Sequence, residues 1–100
     1  MGQPRSQLHS LLTDFVDNVY FQPPENIALE FPCIIYKRDN AYTSFADDKP
    51  YNIETRYAIT VVDPDPDSDI PMKVASLPMS TFNRFYTADN LNHDVYTVYF

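Results

Sequence analysis

Four aspartates alternate with other residues in Asp63-Pro64-Asp65-Pro66-Asp67-Ser68-Asp69, the spacing at which a calcium loop presents its first oxygen ligands. The rest of such a loop is missing. Ser68 stands where the loop needs glycine and Val74 where it needs a bidentate glutamate, while Pro64 and Pro66 stiffen the run. The segment therefore reads as a solvated acidic turn ahead of a helix. His9 and His93 are the two histidines, and neither lies near a serine, cysteine or aspartate in a recognised catalytic order. His93 and Asp94 are neighbours in a strand-like run, so their side chains point to opposite faces. Cys33, the single cysteine, follows Pro32 at the head of an apolar run and reads as a buried, inert thiol. It leaves no internal disulfide and no Cys/His set spaced for zinc, which suits a reducing compartment. The only glycine is Gly2, so no glycine-rich loop can cradle a phosphate. No catalytic residue, metal or cofactor is expected.

The arginines differ in kind. Arg38 stands beside Tyr36, Arg56 beside Tyr57, and Arg84 among Phe82, Phe85 and Tyr86. Planar donors and rigid aromatic rings are what protein–protein contacts enrich. The run Asp94 to Phe100 is apolar on both faces and, left at a sheet edge, would offer unpaired backbone groups together with Tyr96 and Phe100. Arg38, Arg56, Tyr57, Arg84, Tyr86, Tyr96 and Phe100 are therefore the candidate contact residues between subunits.

These residues must be held by a small scaffold. One hundred residues make one domain, 1–100, with room for a single core. Apolar residues at 44% and aromatics at 15% supply that core and argue against a disordered chain. A net charge of −7, from seven basic and fourteen acidic residues, disfavours a protein that grips nucleic-acid phosphate. No run is long and apolar enough to span a bilayer, and residues 1–10 lack the apolar stretch of a signal peptide. Synthesis in the cytoplasm and no membrane partner are expected.

Leu8, Leu11, Leu12, Phe15, Val16 and Val19 form one stripe of an amphipathic helix, expected over about Arg5 to Asp17. Val19-Tyr20-Phe21 is at best a brief edge strand before the stop at Pro23-Pro24. Cys33 to Arg38 reads as a strand, followed by a loop from Asn40 to Pro50 that carries Phe45, Asp47, Asp48 and Lys49. Tyr51 to Val62 alternates strictly and predicts a strand roughly 40 Å long, part of which overhangs the domain. Ser68 or Asp69 caps a short helix with Ile70, Val74 and Leu77 on its inner face. Ser80–Asp89 and His93–Phe100 close the chain as two strands around a turn near Asn90-Leu91-Asn92. The fold class expected is α+β, with two helices packed on a mostly antiparallel sheet of four to five strands.

The chain resembles the small tail-terminator or tail-completion proteins of long-tailed bacteriophages, also called minor capsid or head-to-tail joining proteins. The resemblance lies in Asn18-Val19-Tyr20-Phe21-Gln22-Pro23-Pro24, Phe31-Pro32-Cys33-Ile34-Ile35-Tyr36, Tyr57 to Asp63, Asp65-Pro66-Asp67-Ser68 before Ile70-Pro71, and Asn90 to Tyr96. These stretches are signatures of a family and mark no catalytic site. The resemblance implies a structural virion protein at the head–tail junction. Copies would close into a ring, usually of six, that caps the tail tube, ends its polymerisation and receives the DNA-filled head. Its partners would be itself, the tube protein and a head-completion or connector protein, with DNA passing through unbound. An acidic lumen would suit that passage, with Asp47, Asp48, Asp65 and Asp67 as candidate lumen residues. The loop bearing Phe45, Asp47, Asp48 and Lys49 is the candidate contact with tube or head. Two alternatives stand beside this: a head-side connector ring, and a free acidic protein that mimics DNA or inhibits a host factor.

Overall fold

The computed structural model describes residues 4–46 and 49–100, and the side chains among them outside 42–54. The elements in chain order are α1 (Arg5–Thr13), β1 (Val19–Phe21), β2 (Cys33–Ala46), β3 (Lys49–Asp63), α2 (Ile70–Ala75), β4 (Ser80–Ala88) and β5 (Leu91–Tyr99). The five strands form one sheet in the order β1-β2-β3-β5-β4, antiparallel throughout except for the β1–β2 pair. The fold is α+β, as the sequence pattern implies.

Both helices pack on one face of this sheet. Strand alternation delivers Ile34 and Tyr36 from β2, Tyr57, Ile59 and Val61 from β3, and Tyr96 and Val98 from β5 to that face. Leu8 and Leu12 of α1, with Ile70, Val74 and Leu77 in and after α2, cover them. α1 ends at Thr13, earlier than its apolar stripe suggests. The amides of Phe15 and Val16 both bond back to the Leu12 carbonyl, and the tightened end lets the two side chains pack against the core from outside the helix. α2 begins as expected with Ile70 and Val74 buried, although its cap is indirect. Ser68 Oγ accepts from the Ile70 amide at 3.2 Å, and Asp69, at the cap position, makes no side-chain cap bond.

Three expectations are corrected. The segment expected to loop between Asn40 and Pro50 is strand on both sides: β2 pairs with β3 as far as Ala46–Lys49. The long alternating strand needed a partner of matching length, and the polar residues after Asp39 supply it through their backbone. β3 pairs with β5 only over Arg56–Asp63, so the far half of the β2–β3 hairpin does extend past the rest of the sheet, and the long axis of the chain measures 51 Å. Secondly, β5 is not an edge, because it lies between β3 and β4. Its apolar character on both faces is that of an interior strand. Thirdly, the β4–β5 turn is Asp89-Asn90, one or two residues earlier than expected, with φ of 54° and 62°. Two consecutive left-handed residues define the hairpin turn whose twist matches the strands, and Asp and Asn adopt it in place of glycine.

Candidate assembly surface

β4 is one long edge of the sheet, and the outer side of β2 beyond Arg38, past the reach of β1, is another. Every residue from Thr81 to Ala88 is exposed, and Phe82 and Phe85 each keep 54% of their surface in solvent. A register shift between Phe82 and Arg84 marks a bulge. Without it, Phe82 and Phe85 would point to opposite faces; with it, they pair with Tyr96 and Asp94 and share the helix-side face. The same shift puts Arg84 and Tyr86 together on the other face, opposite Val95 and His93. The Arg84 guanidinium carbon lies 5.2 Å from the Tyr86 ring centre, and Tyr86 stacks on His93 at 4.5 Å with planes 11° apart. The opposite edge, β1, offers three residues before Pro23 and Pro24, which carry no N–H.

The face without helices is lined by Ile35, Lys37, Ala58, Thr60 and Val62, with Tyr86 and His93 beside them, around a groove of about 290 Å³. A second groove of about 380 Å³ adjoins it, bounded by Lys37, Asp39, Asn83, Arg84, Tyr86 and Val95. Arg56 occupies the same face and donates from Nε to Asp39 Oδ1 at 2.8 Å. Bonding to Asp39, and after it to Tyr99, holds the guanidinium above its ordinary pKa.

The expected contact residues therefore separate into groups. Arg84 and Tyr86 stand together on the exposed edge. Arg38 is exposed, pairs with Tyr57 across the ladder and belongs to the helix-side face, apart from Arg84. Arg56 is engaged by Asp39. Tyr57 and Tyr96 are corrections: at 5% and 6% exposure they belong to the core of the single subunit, because their strand positions fall on the face the helices cover. Burial raises the Tyr96 hydroxyl above its usual pKa, with the nearby Asp94 charge adding to it. Phe100 packs against the core from the side and helps form a groove with Ser6, Ser10 and Leu11 of α1. Its amide bonds to the Thr55 carbonyl at 3.0 Å.

Asp65 and Asp67 are exposed in the turn after β3, and their amides bond to the side chains of Asp63 and Asp65 at 2.8 and 2.9 Å. Asp47 and Asp48 lie outside the described residues, as do the side chains of Phe45 and Lys49, whose backbones belong to β2 and β3. Three residues of the surface are not among the candidates read from the sequence: Lys37, Phe82 and Phe85. Lys37 becomes significant only through its cross-sheet neighbours, and Phe85 through a bulge no local pattern announces. No protein-family model matches the chain, and no curated protein matches it in sequence.

Proposed function

We propose that this chain is a structural virion subunit, a tail terminator whose copies close into a ring on the end of a phage tail tube and receive the head. The observation that carries the reading is β4, a nine-residue edge strand exposed along its length and bearing two half-exposed phenylalanines. Such an edge is a template for another chain and an aggregation hazard when left bare, unless a neighbour of fixed geometry covers it. β1 is too short and too proline-bound to match it, so β4 meets a different surface of the next copy. A contact of that kind, repeated around an axis, gives a closed ring.

Two further properties agree. The chain carries a net charge of −7, which repels DNA phosphate instead of gripping it, as a conduit requires. The projecting β2–β3 hairpin, in place of the loop expected there, is the natural arm for the tail tube or the head. Sequence resemblance to tail-terminator proteins supplies the biological setting.

The test is Phe85→Lys, a lysine on an exposed edge position that blocks strand addition at little cost to the fold. The variant should melt within about 0.5 kcal/mol of the parent, as exposed substitutions do, yet fail to form rings, and phage carrying it should make tails of uncontrolled length by electron microscopy. A wild-type protein that stays monomeric in the presence of tail tubes refutes the proposal. Co-purification with empty heads and not with tubes reassigns it to the head-side connector.

A further inference from the structure

Among the described side chains, the uncovered face carries three cations, Lys37, Arg56 and Arg84, and one carboxylate, Asp39. Lys37 and Arg84 border its grooves, and neither has a carboxylate within 4 Å among the described residues, whereas Arg56 is paired with Asp39. Beside the two cations stands an aromatic wall, Tyr86 stacked on His93, with Ala58, Thr60 and Val62 as the floor. A groove with an aromatic wall and flanking cations selects an acidic segment that bears proline: proline rings lie against the aromatic face, and carboxylates reach the cations.

The turn after β3 is such a segment. Pro64-Asp65-Pro66-Asp67 is exposed along its whole length, so it does not fill its own groove. The Asp65 and Asp67 amides are already bonded within the turn, at 2.8 and 2.9 Å, and both prolines have fixed φ. A segment ordered in advance loses little entropy on docking.

The geometry points to a head-to-tail contact in which the Pro64–Asp67 turn of one copy docks in the Lys37–Tyr86–Arg84 groove of the next. The inference rests on the ring reading and deepens it. Donor and acceptor surfaces differ, so each copy gives its turn to one neighbour and accepts a turn from the other, and the contact covers the Arg84–Tyr86 side of β4 while Phe82 and Phe85 face the other way.

Two isosteric variants separate the halves of the contact. Lys37→Gln/Arg84→Gln neutralises the groove, and Asp65→Asn/Asp67→Asn neutralises the turn while keeping the oxygen that accepts the turn's own hydrogen bond. Each alone should self-associate about ten-fold or more weakly than wild type by light scattering, with an unchanged melting curve. An equimolar mixture has one intact donor and one intact acceptor, and should recover a one-to-one dimer and nothing larger. In wild-type assemblies a zero-length carbodiimide should join Lys37 to Asp65 or Asp67 across copies. If both variants assemble like wild type while Phe85→Lys does not, the docking inference fails and the ring reading stands. If wild type itself stays monomeric on tail tubes, both fall.

Discussion

Removing one oxygen from the core should loosen the amino-terminal helix. The Tyr36 ring is fully buried, and its hydroxyl accepts from Arg5 Nη1 at 2.9 Å and bonds to His9 Nδ1 at 2.7 Å. The Tyr36 hydroxyl thus serves Arg5 and His9 at once, so two residues of α1 are tied to β2 through a single atom. Burial raises this hydroxyl above the usual tyrosine pKa, and the Arg5 hydrogen bond works against that rise. A hydrogen bond to a charged group is worth about 1.5–3 kcal/mol and a neutral one about 0.5–1.5 kcal/mol. Arg5 is exposed and His9 half-exposed, so both recover water when the hydroxyl is lost. Tyr36→Phe should therefore cost about 1.5–2 kcal/mol, near the lower end of that sum. In a domain of this length that lowers the melting temperature by roughly 6–16 °C. Arg5 also stacks 4.3 Å above Phe21, so its single substitution mixes two effects. A double-mutant cycle of Tyr36→Phe with Arg5→Gln, followed by urea denaturation, isolates the pair and should give a coupling of about 1 kcal/mol. A coupling below about 0.3 kcal/mol would refute the anchoring, since additive effects of that size are expected of residues that do not interact.

Cys33 is fully buried, and its thiol is pushed up to about 11 by burial and then by the nearby Asp63 charge, so an alkylating reagent at pH 8 should modify it only on unfolding. Because its folded pKa lies above its unfolded value near 9, the associated stability is complete below pH 9 and declines between pH 9 and 11, by up to about 2–3 kcal/mol, measurable by urea melts across that range. Met79 holds a left-handed backbone, φ 61°, with its side chain largely in solvent, so Met79→Gly should stabilise by about 0.5–1 kcal/mol in thermal unfolding. Burial raises the Asp94 carboxyl, with the His93 charge opposing. Its ionised form is thus disfavoured in the fold, so Asp94→Asn should raise stability at pH 7 by less than about 1 kcal/mol and make no difference below the carboxylate range, where both forms are neutral.

The sequence made the elements readable wherever one face is buried. The helix-facing residues Leu8 and Leu12, the alternation through Ile59 and Val61, and the Ile70/Val74 face all follow from periodicity, because periodicity is what burial selects. It gave less where backbone pairing acts without that selection. β2 beyond Asp39 carries Asn40, Thr43 and Ser44 and looks like a loop, yet its ladder with β3 is continuous apart from two register shifts. Sheet order was equally hidden. Aromatic residues on both faces of β5 fit an edge awaiting a partner or an interior strand already flanked, and only the placement of β4 outside it decides. The same ambiguity hides the placement of Tyr57 and Tyr96, since a tyrosine among arginines looks alike on either face of a strand. The turn at Asp89-Asn90 needed two positive φ values in a chain whose one glycine lies elsewhere, and a side-chain amide and carboxylate took the role.

Charge of two ranges acts on assembly, and salt separates them. Copies of net charge −7 repel as whole bodies over distances that the Debye length covers at low salt, about 30 Å at 0.01 M, and no longer covers at 0.15 M, about 8 Å. The attraction between the acidic turn and the Lys37–Arg84 groove acts at contact distance and survives until the screening length approaches about 3 Å, near 1 M. The apolar edge formed by Phe82 and Phe85 does not weaken with salt. Self-association followed by light scattering should therefore rise from 0.01 to about 0.15 M salt and fall part of the way back toward 1 M. The Lys37→Gln/Arg84→Gln variant, lacking the short-range term, should rise throughout. A wild-type curve that only rises would mean that the groove cations contribute nothing to the contact, and one that only falls would mean that whole-body repulsion is too weak to matter.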